Sequence, residues 1–271
     1  MAFADSSSWQ KLVRLVRALA VDPIGAGRAL PGEFWQRHGS VKYGENELDR
    51  NWFERLHELL GAPWPCTETE RLGELLGEID ERLAALGVGT GRHTYGWYSD
   101  AEVSLCSAVW CTVRHRRPEI AIETGVAHGV TSRVILEAMQ RNDQGRLWSI
   151  DLPHPLERQL HSQTGAAVPD DRRDRWTYLE GSSRRRLGPL VAELGRVGLF
   201  VHDSLHTARN TLFEMERVAS ALEPGGVLLV DDIKSHDGFA AFARRHPDYQ
   251  TLTCESEDKI GVFGIAVKGG R

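Results

Sequence analysis

No apolar run in this chain approaches the roughly 20 residues a membrane-crossing helix needs, and residues 1–30 lack the continuous apolar core of a signal peptide. No membrane association is therefore expected. An excess of positive charge is missing too. Lys and Arg number 33 against 38 Asp and Glu, a formal net charge of −5, which argues against general nucleic-acid binding. Cysteine is scarce: Cys66, Cys106, Cys111 and Cys254 show no CxxC spacing. That indicates neither a zinc site nor a disulfide framework, and a reducing, cytoplasmic setting is the default. Also missing is the GxGxxG turn with which dinucleotide-binding folds cradle a pyrophosphate.

What is there divides near residue 95. Before it, helical periodicity around 9–21, 46–60 and 68–86 is broken by Pro23, Pro31, Pro63 and Pro65, with no alternating strand pattern. Trp9, Leu12, Val16 and Leu19 share one helical face opposite Lys11, Arg14 and Arg17. Docking on the protein itself or on a partner subunit explains that stripe better than a membrane surface. Residues 87–91 (GVGTG) read as a flexible joint. The expected organisation is an N-terminal helical extension or cap over 1–95 and a main domain over 96–271, with a homo-oligomer through the N-terminal helices as the expected assembly. Beyond the joint, a helix over 101–114 precedes strands near 119–124, 146–151, 176–180, 197–202 and 226–231, with helical segments after most of them. Two strand-like runs, 249–254 and 260–267, close the chain. The pattern predicts an α/β, Rossmann-like, doubly wound and mostly parallel seven-stranded sheet with a terminal antiparallel hairpin.

Residues 120–132 read IAIETGVAHGVTS: an apolar run ending in an acid, two glycines four apart, then hydroxyls opening an amphipathic segment. That is a strand entering a tight turn and a helix. Gly125 permits backbone angles other residues resist, and Gly129 permits close approach of a ligand or of neighbouring backbone. Twenty-six residues past Gly125, the run 147–150 ends in Asp151, placed to take both hydroxyls of a ribose. A nucleoside cofactor follows. Glu123 beside a pyrophosphate would be repulsive, whereas it suits the amino group of S-adenosylmethionine (SAM) or the N–H groups of the turn itself.

On these residues the sequence resembles class I SAM-dependent methyltransferases over about 95–268. Glu123, Thr124, Gly125, Gly129, Thr131 and Ser132 resemble the SAM loop, although the turn departs from the commoner GxGxG form. Asp151 resembles the ribose acid, and Gly181, Ser182 and Ser183 stand where such enzymes contact adenine. Residues 222–233 (LEPGGVLLVDDI) are similar to the family's Pro-Gly-Gly turn feeding the fifth strand. Strand four ends in FVHDSLHT (200–207) and strand five in Asp231-Asp232. Both open on one crevice, so Asp203, Asp231 and Asp232 are expected to converge as oxygen ligands for Mg²⁺ or a similar divalent cation. This resembles the metal-dependent O-methyltransferase branch, with catechol-type and antibiotic sugar O-methyltransferases. The resemblance implies His206 as the base.

Rival roles stand beside these. His202 lines the cofactor cleft or points into the sheet. Asp231-Asp232 caps the next helix, Asp203 bonds a helix start near 206, and His236 is an alternative base. His128 orients the turn, His154 borders the crevice, and Tyr95, Trp97 and Tyr98 wall an acceptor or pack. Residues 152–175 are a surface loop or part of a substrate lid, and the arginines at 172–175 and 184–186 are solvated. The expected function is methyl transfer from SAM to a hydroxyl of a small molecule, a sugar or an aromatic natural product, with divalent-metal assistance. Hydroxylase chemistry on the same fold, NAD(P)-dependent oxidoreduction and non-catalytic SAM binding are the alternatives.

Overall fold

The computed structural model describes residues 47–89, 94–95, 101–152, 158–257 and 261–270. The expected helix at 9–21, Trp97, Tyr98 and His154 lie outside them. Seven strands form one sheet: β1 (Ile120–Thr124), β2 (Arg146–Asp151), β3 (Trp176–Glu180), β4 (Val197–His202), β5 (Leu222–Val230), β6 (Tyr249–Glu255) and β7 (Val262–Lys268). Their order is β3-β2-β1-β4-β5-β7-β6. The first five pair in parallel, while β7 runs antiparallel to β5 and β6. The order reverses between β1 and β4, where an open α/β sheet leaves a crevice at its carboxyl edge. β5 starts four residues earlier than its sequence pattern predicts. Pro224-Gly225-Gly226 lies within the strand, and its pairing with β4 shifts register between Val197 and Leu199.

The period of two along each strand sends alternate residues to opposite layers. Ala121, Leu199 and Val201 pack with α1 (Trp52–Leu60), α2 (Thr69–Ala85), α3 (Val103–Arg116) and α4 (Val130–Asn142). Ile122, Phe200 and Leu228 pack with α5 (Ser183–Leu194), α6 (Ala208–Ala219) and α7 (Gly238–Arg245). The apolar core runs without a break across residue 95: Leu56, Leu75 and Leu83 share it with Leu252 and Ile265. Trp52 meets Phe263 edge-on, 5.0 Å between ring centroids.

Glu137 reinforces that union. It is 4% exposed and takes Arg133 at 2.6 Å, Arg172 at 2.9 Å and Arg71 of α2 at 3.3 Å. These partners outweigh the cost of burial and hold its carboxyl below the usual range. Arg172 is therefore not the solvated side chain expected. Arg175 likewise bonds Asp143 at 2.7 Å, and Arg184 stacks on Phe213. Two of the four cysteines also come together: Cys66 Sγ lies 3.4 Å from Cys111 Sγ.

Candidate functional site

One residue past each of four strand ends, the ladder gains a further rung. Gly125 N–H donates to Ile150 O, Gly181 N–H to Asp151 O, Asp203 N–H to Thr124 O and Asp231 N–H to His202 O, all at 2.8–2.9 Å. This aligns Gly125, Asp151, Gly181, Asp203 and Asp231 along the carboxyl edge, on both sides of the switch point.

Both glycines of the turn are required by backbone crowding. At Gly125 (φ +87°) a Cβ would lie 1.9 Å from Asp203 O, and at Gly129 (φ +84°) 2.9 Å from Gly165 Cα. Gly129 thus admits neighbouring backbone. Gly165 N–H donates to Ala127 O and Ala167 N–H to His128 O. Residues 152–175 were expected most simply as a surface loop; instead, part of the segment clamps the glycine turn. Tyr95 completes the clamp, its hydroxyl 2.5 Å from Thr164 Oγ1 and its ring edge-on to His128.

Glu123 is fully buried beneath this turn. It accepts from Ser132 Oγ at 2.6 Å and from Ser149 Oγ at 2.7 Å, not from turn amides, while its Oε1 has no partner. Burial pushes its pKa up to about 7 despite the two hydroxyls. Asp151 keeps partial exposure at the β2 end. Burial also pushes it up to about 7, against hydrogen bonds from the backbone of Ala127, Leu152 and Val126. Asp151 therefore braces the turn.

Several hydroxyls and one histidine assigned to the cofactor face elsewhere. His202 shares its strand face with Phe200 and is fully buried, with Nδ1 2.6 Å from Glu214 Oε2 and Nε2 3.0 Å from Thr211 Oγ1. Both ring nitrogens are engaged on the α6 side, so the cleft reading of His202 is corrected. Thr124 Oγ1 donates to the same Glu214 oxygen at 2.6 Å, and the Ser183 hydroxyl bonds Glu214 as well. Ser204 and Asn210 bond its other oxygen at 2.9 and 2.8 Å. Sequence reasoning missed Glu214; the signal was an acid among Asn210, Thr211, Met215 and Val218 on the buried face of α6. Thr131 is buried at the start of α4, while Gly181 and Ser182 are half-buried just past the end of β3.

The acidic cluster forms, with one exchange of members. One ligating atom each of Asp203, His206 and Asp231 lies within 4.8 Å of the others. Asp232 stands outside this group, on left-handed backbone (φ +47°), which corrects its place in the expected triad. His206 Nε2 is 3.7 Å from Asp203 Oδ1, and its buried Nδ1 has no partner. Burial and the adjacent Asp231 hold the Asp203 carboxyl well above its ordinary value. Burial lowers the proton affinity of His206 more than the surrounding acids raise it. The capping roles weighed for Asp203 and Asp232 find no support here, whereas His236 lies at a helix N-terminus. Thr207 caps α6, accepting from Asn210 N–H at 3.2 Å; Asp232 makes no side-chain cap bond to the following turn. His236 is buried, with Nε2 3.2 Å from Thr211 Oγ1 and Nδ1 accepting from Gly238 N–H.

Residues 122–233 match the methyltransferase-domain family model, which spans all of these strand ends. That stretch is similar to methyltransferase domains. Around it, the whole fold is similar to solved methyltransferases. An O-methyltransferase from Bacillus cereus in complex with SAH superposes with TM-score 0.54 at 13% identity, covering 81% of this chain and 97% of that one. The O-methyltransferase TomG from Streptomyces achromogenes, involved in tomaymycin synthesis and solved with SAM, gives 0.56 at 14%, covering 73% and 90%. No curated protein sequence matches the chain. At such identities the likeness shows the fold alone, an α/β fold shared with those methyltransferases. Among the described residues, no helix is long and apolar enough to cross a membrane.

Proposed function

We propose that this methyltransferase domain transfers the methyl group of SAM to an oxygen of a small molecule, assisted by a divalent cation. The observation that carries the reading is the convergence of Asp203, His206 and Asp231 beside the turn formed by Gly125 and Gly129. SAM fits the residues present. Asp151 stands half-open at the β2 end with its turn contacts made, and Glu123 lies buried below the turn with its Oε1 unpartnered.

A divalent cation fits the other half. Two carboxylates in mutual repulsion, Asp203 and Asp231, form a donor set that a cation would stabilise, with the His206 imidazole beside them. Bound there, it would lower the pKa of an acceptor hydroxyl and fix its approach. His206, whose buried Nδ1 has no partner, would take the proton leaving that hydroxyl. Asp203 and Asp231 would orient the acceptor, and the clamp of 164–168 on the turn would keep the sulfonium in line with it.

Sugars and aromatic natural products carrying vicinal hydroxyls are the acceptor class proposed. The reading is tested by incubating chelator-treated protein with methyl-labelled SAM and a panel of such acceptors, with and without Mg²⁺. Metal-dependent labelling with a mass gain of one methylene supports it. A gain of one oxygen, or labelling indifferent to chelation and Mg²⁺, overturns it.

A further inference from the structure

We propose that His57, Cys66, Cys111 and His115 form a structural Zn²⁺ site fastening α1 and the loop after it to the methyltransferase domain. One ligating atom from each of the four lies within 4.8 Å of all the others. The set draws on three separate elements. His57 lies in the last turn of α1, Cys66 in the loop beyond it, and Cys111 and His115 stand four apart on one face of α3.

The geometry is close to that of a tetrahedral S₂N₂ site. Zn–S and Zn–N bonds of about 2.3 and 2.05 Å imply S···S near about 3.8 Å and S···N near about 3.6 Å. Cys66 Sγ stands 3.4 Å from Cys111 Sγ and 3.5 Å from His115 Nε2. His57 supplies a second, independent sign. Its Nδ1 donates to Phe53 O at 2.7 Å, which leaves the lone pair on Nε2. That atom is buried without a partner in a fully buried side chain. A ligating histidine fixed through its other nitrogen by a carbonyl is the usual support around a metal. A buried, unpaired imidazole nitrogen is otherwise a cost with no return.

The loop is positioned by contacts of its own. Gly61 turns the chain at the end of α1 in a left-handed conformation. Trp110 Nε1 donates to Glu68 O at 2.9 Å, and Arg114 Nε to Glu68 Oε2 at 2.9 Å. These bonds hold Cys66 over the α3 face whether or not a cation is bound. Two thiolates and two imidazoles favour zinc over magnesium, calcium or manganese. With four protein donors no position is left for substrate, which makes the role structural. Binding releases the two thiol protons to solvent and gives a neutral core, two thiolates balancing the cation. The site sits near the end of α3 that leads into the start of β1, at the edge of the sheet opposite Gly125 and Asp203. It is therefore separate from the acidic cluster.

The experiment uses the full chain purified under reductant without chelator, in the double variant Asp203→Asn, Asp231→Asn, so that the acidic cluster contributes no metal. Metal analysis is expected to find one zinc per chain. Replacement by Co²⁺ should give the visible bands of a tetrahedral ion and thiolate-to-cobalt charge transfer in the near ultraviolet. Adding Cys66→Ser and Cys111→Ser should remove both signals. If those substitutions prevent folding, the cobalt spectrum of the chain with all four ligands intact decides alone. Absence of charge transfer, or a metal-free Cys66–Cys111 disulfide in the reduced preparation, overturns the proposal.

Discussion

Glu214 Oε2 lies 2.6 Å from His202 Nδ1, both side chains fully buried behind the strand end that carries Asp203. Burial alone would push the Glu214 carboxyl up. His202 and the hydroxyls of Ser183 and Thr124 outweigh it and draw the pKa down to about 2. Through Thr124, His202 and Ser204, this one carboxylate ties the ends of β1 and β4 to α6. Replacing it by Gln removes the charge that three elements share. Glu214→Gln is expected to cost about 3–5 kcal/mol, read from urea unfolding. A loss below about 0.5 kcal/mol contradicts the network.

Glu123 and Glu214 give opposite pH dependences. The folded-state pKa of Glu123, about 7, lies above its usual 4.5, so the folded protein binds the extra proton and stability falls as pH rises from about 5 through 7. That of Glu214, about 2, lies below 4.5; its contribution is complete above about 4.5 and is lost as pH falls toward 2. Glu123→Gln should flatten the decline between pH 5 and 8 in thermal unfolding of the ligand-free protein. An unchanged slope would remove Glu123 as its source.

Gly129 and Gly165 form the contact by which the 164–168 segment clamps the turn at 125–129. Gly129→Ala places a Cβ 2.9 Å from Gly165 Cα at φ +84°, strain of about 1–3 kcal/mol. The expected result is SAH affinity weakened by about tenfold or more in calorimetry. Gly73→Ala, where a Cβ meets nothing within 4 Å, is the control and should leave affinity unchanged.

Asp231 and its neighbour Asp232 should behave differently. Asp231→Asn removes a member of the cluster, and metal-dependent turnover is expected to fall by about 100-fold or more, with SAH affinity kept. Asp232→Asn, outside the cluster, should lose less than about fivefold. Equal losses in a steady-state assay would return Asp232 to the cation site.

Much of this was legible in the chain. Apolar runs ending in Glu123, Asp151, His202 and Val230 marked the strand ends, and the crossover rule for parallel sheets put them on one edge. The orientation of His202 was legible as well, since it shares parity with Phe200 rather than Val201. Glu214 required matching that face to the buried stripe of α6. The left-handed turn at Asp232 left no trace in residue type. Nor did the pairing of Gly129 with Gly165, or the approach of Cys66 to Cys111, which join segments 36 and 45 residues apart that only packing brings together.

The most direct measurement is calorimetric titration of the purified chain with SAH, with and without Mg²⁺, followed by the same titrations of Asp151→Ala and Asp231→Ala. The account predicts SAH binding that Asp151→Ala weakens and Asp231→Ala spares, and a Mg²⁺-dependent heat that Asp231→Ala abolishes. No SAH binding in either buffer would contradict the cofactor assignment, and a Mg²⁺ response surviving in Asp231→Ala would contradict the cation site.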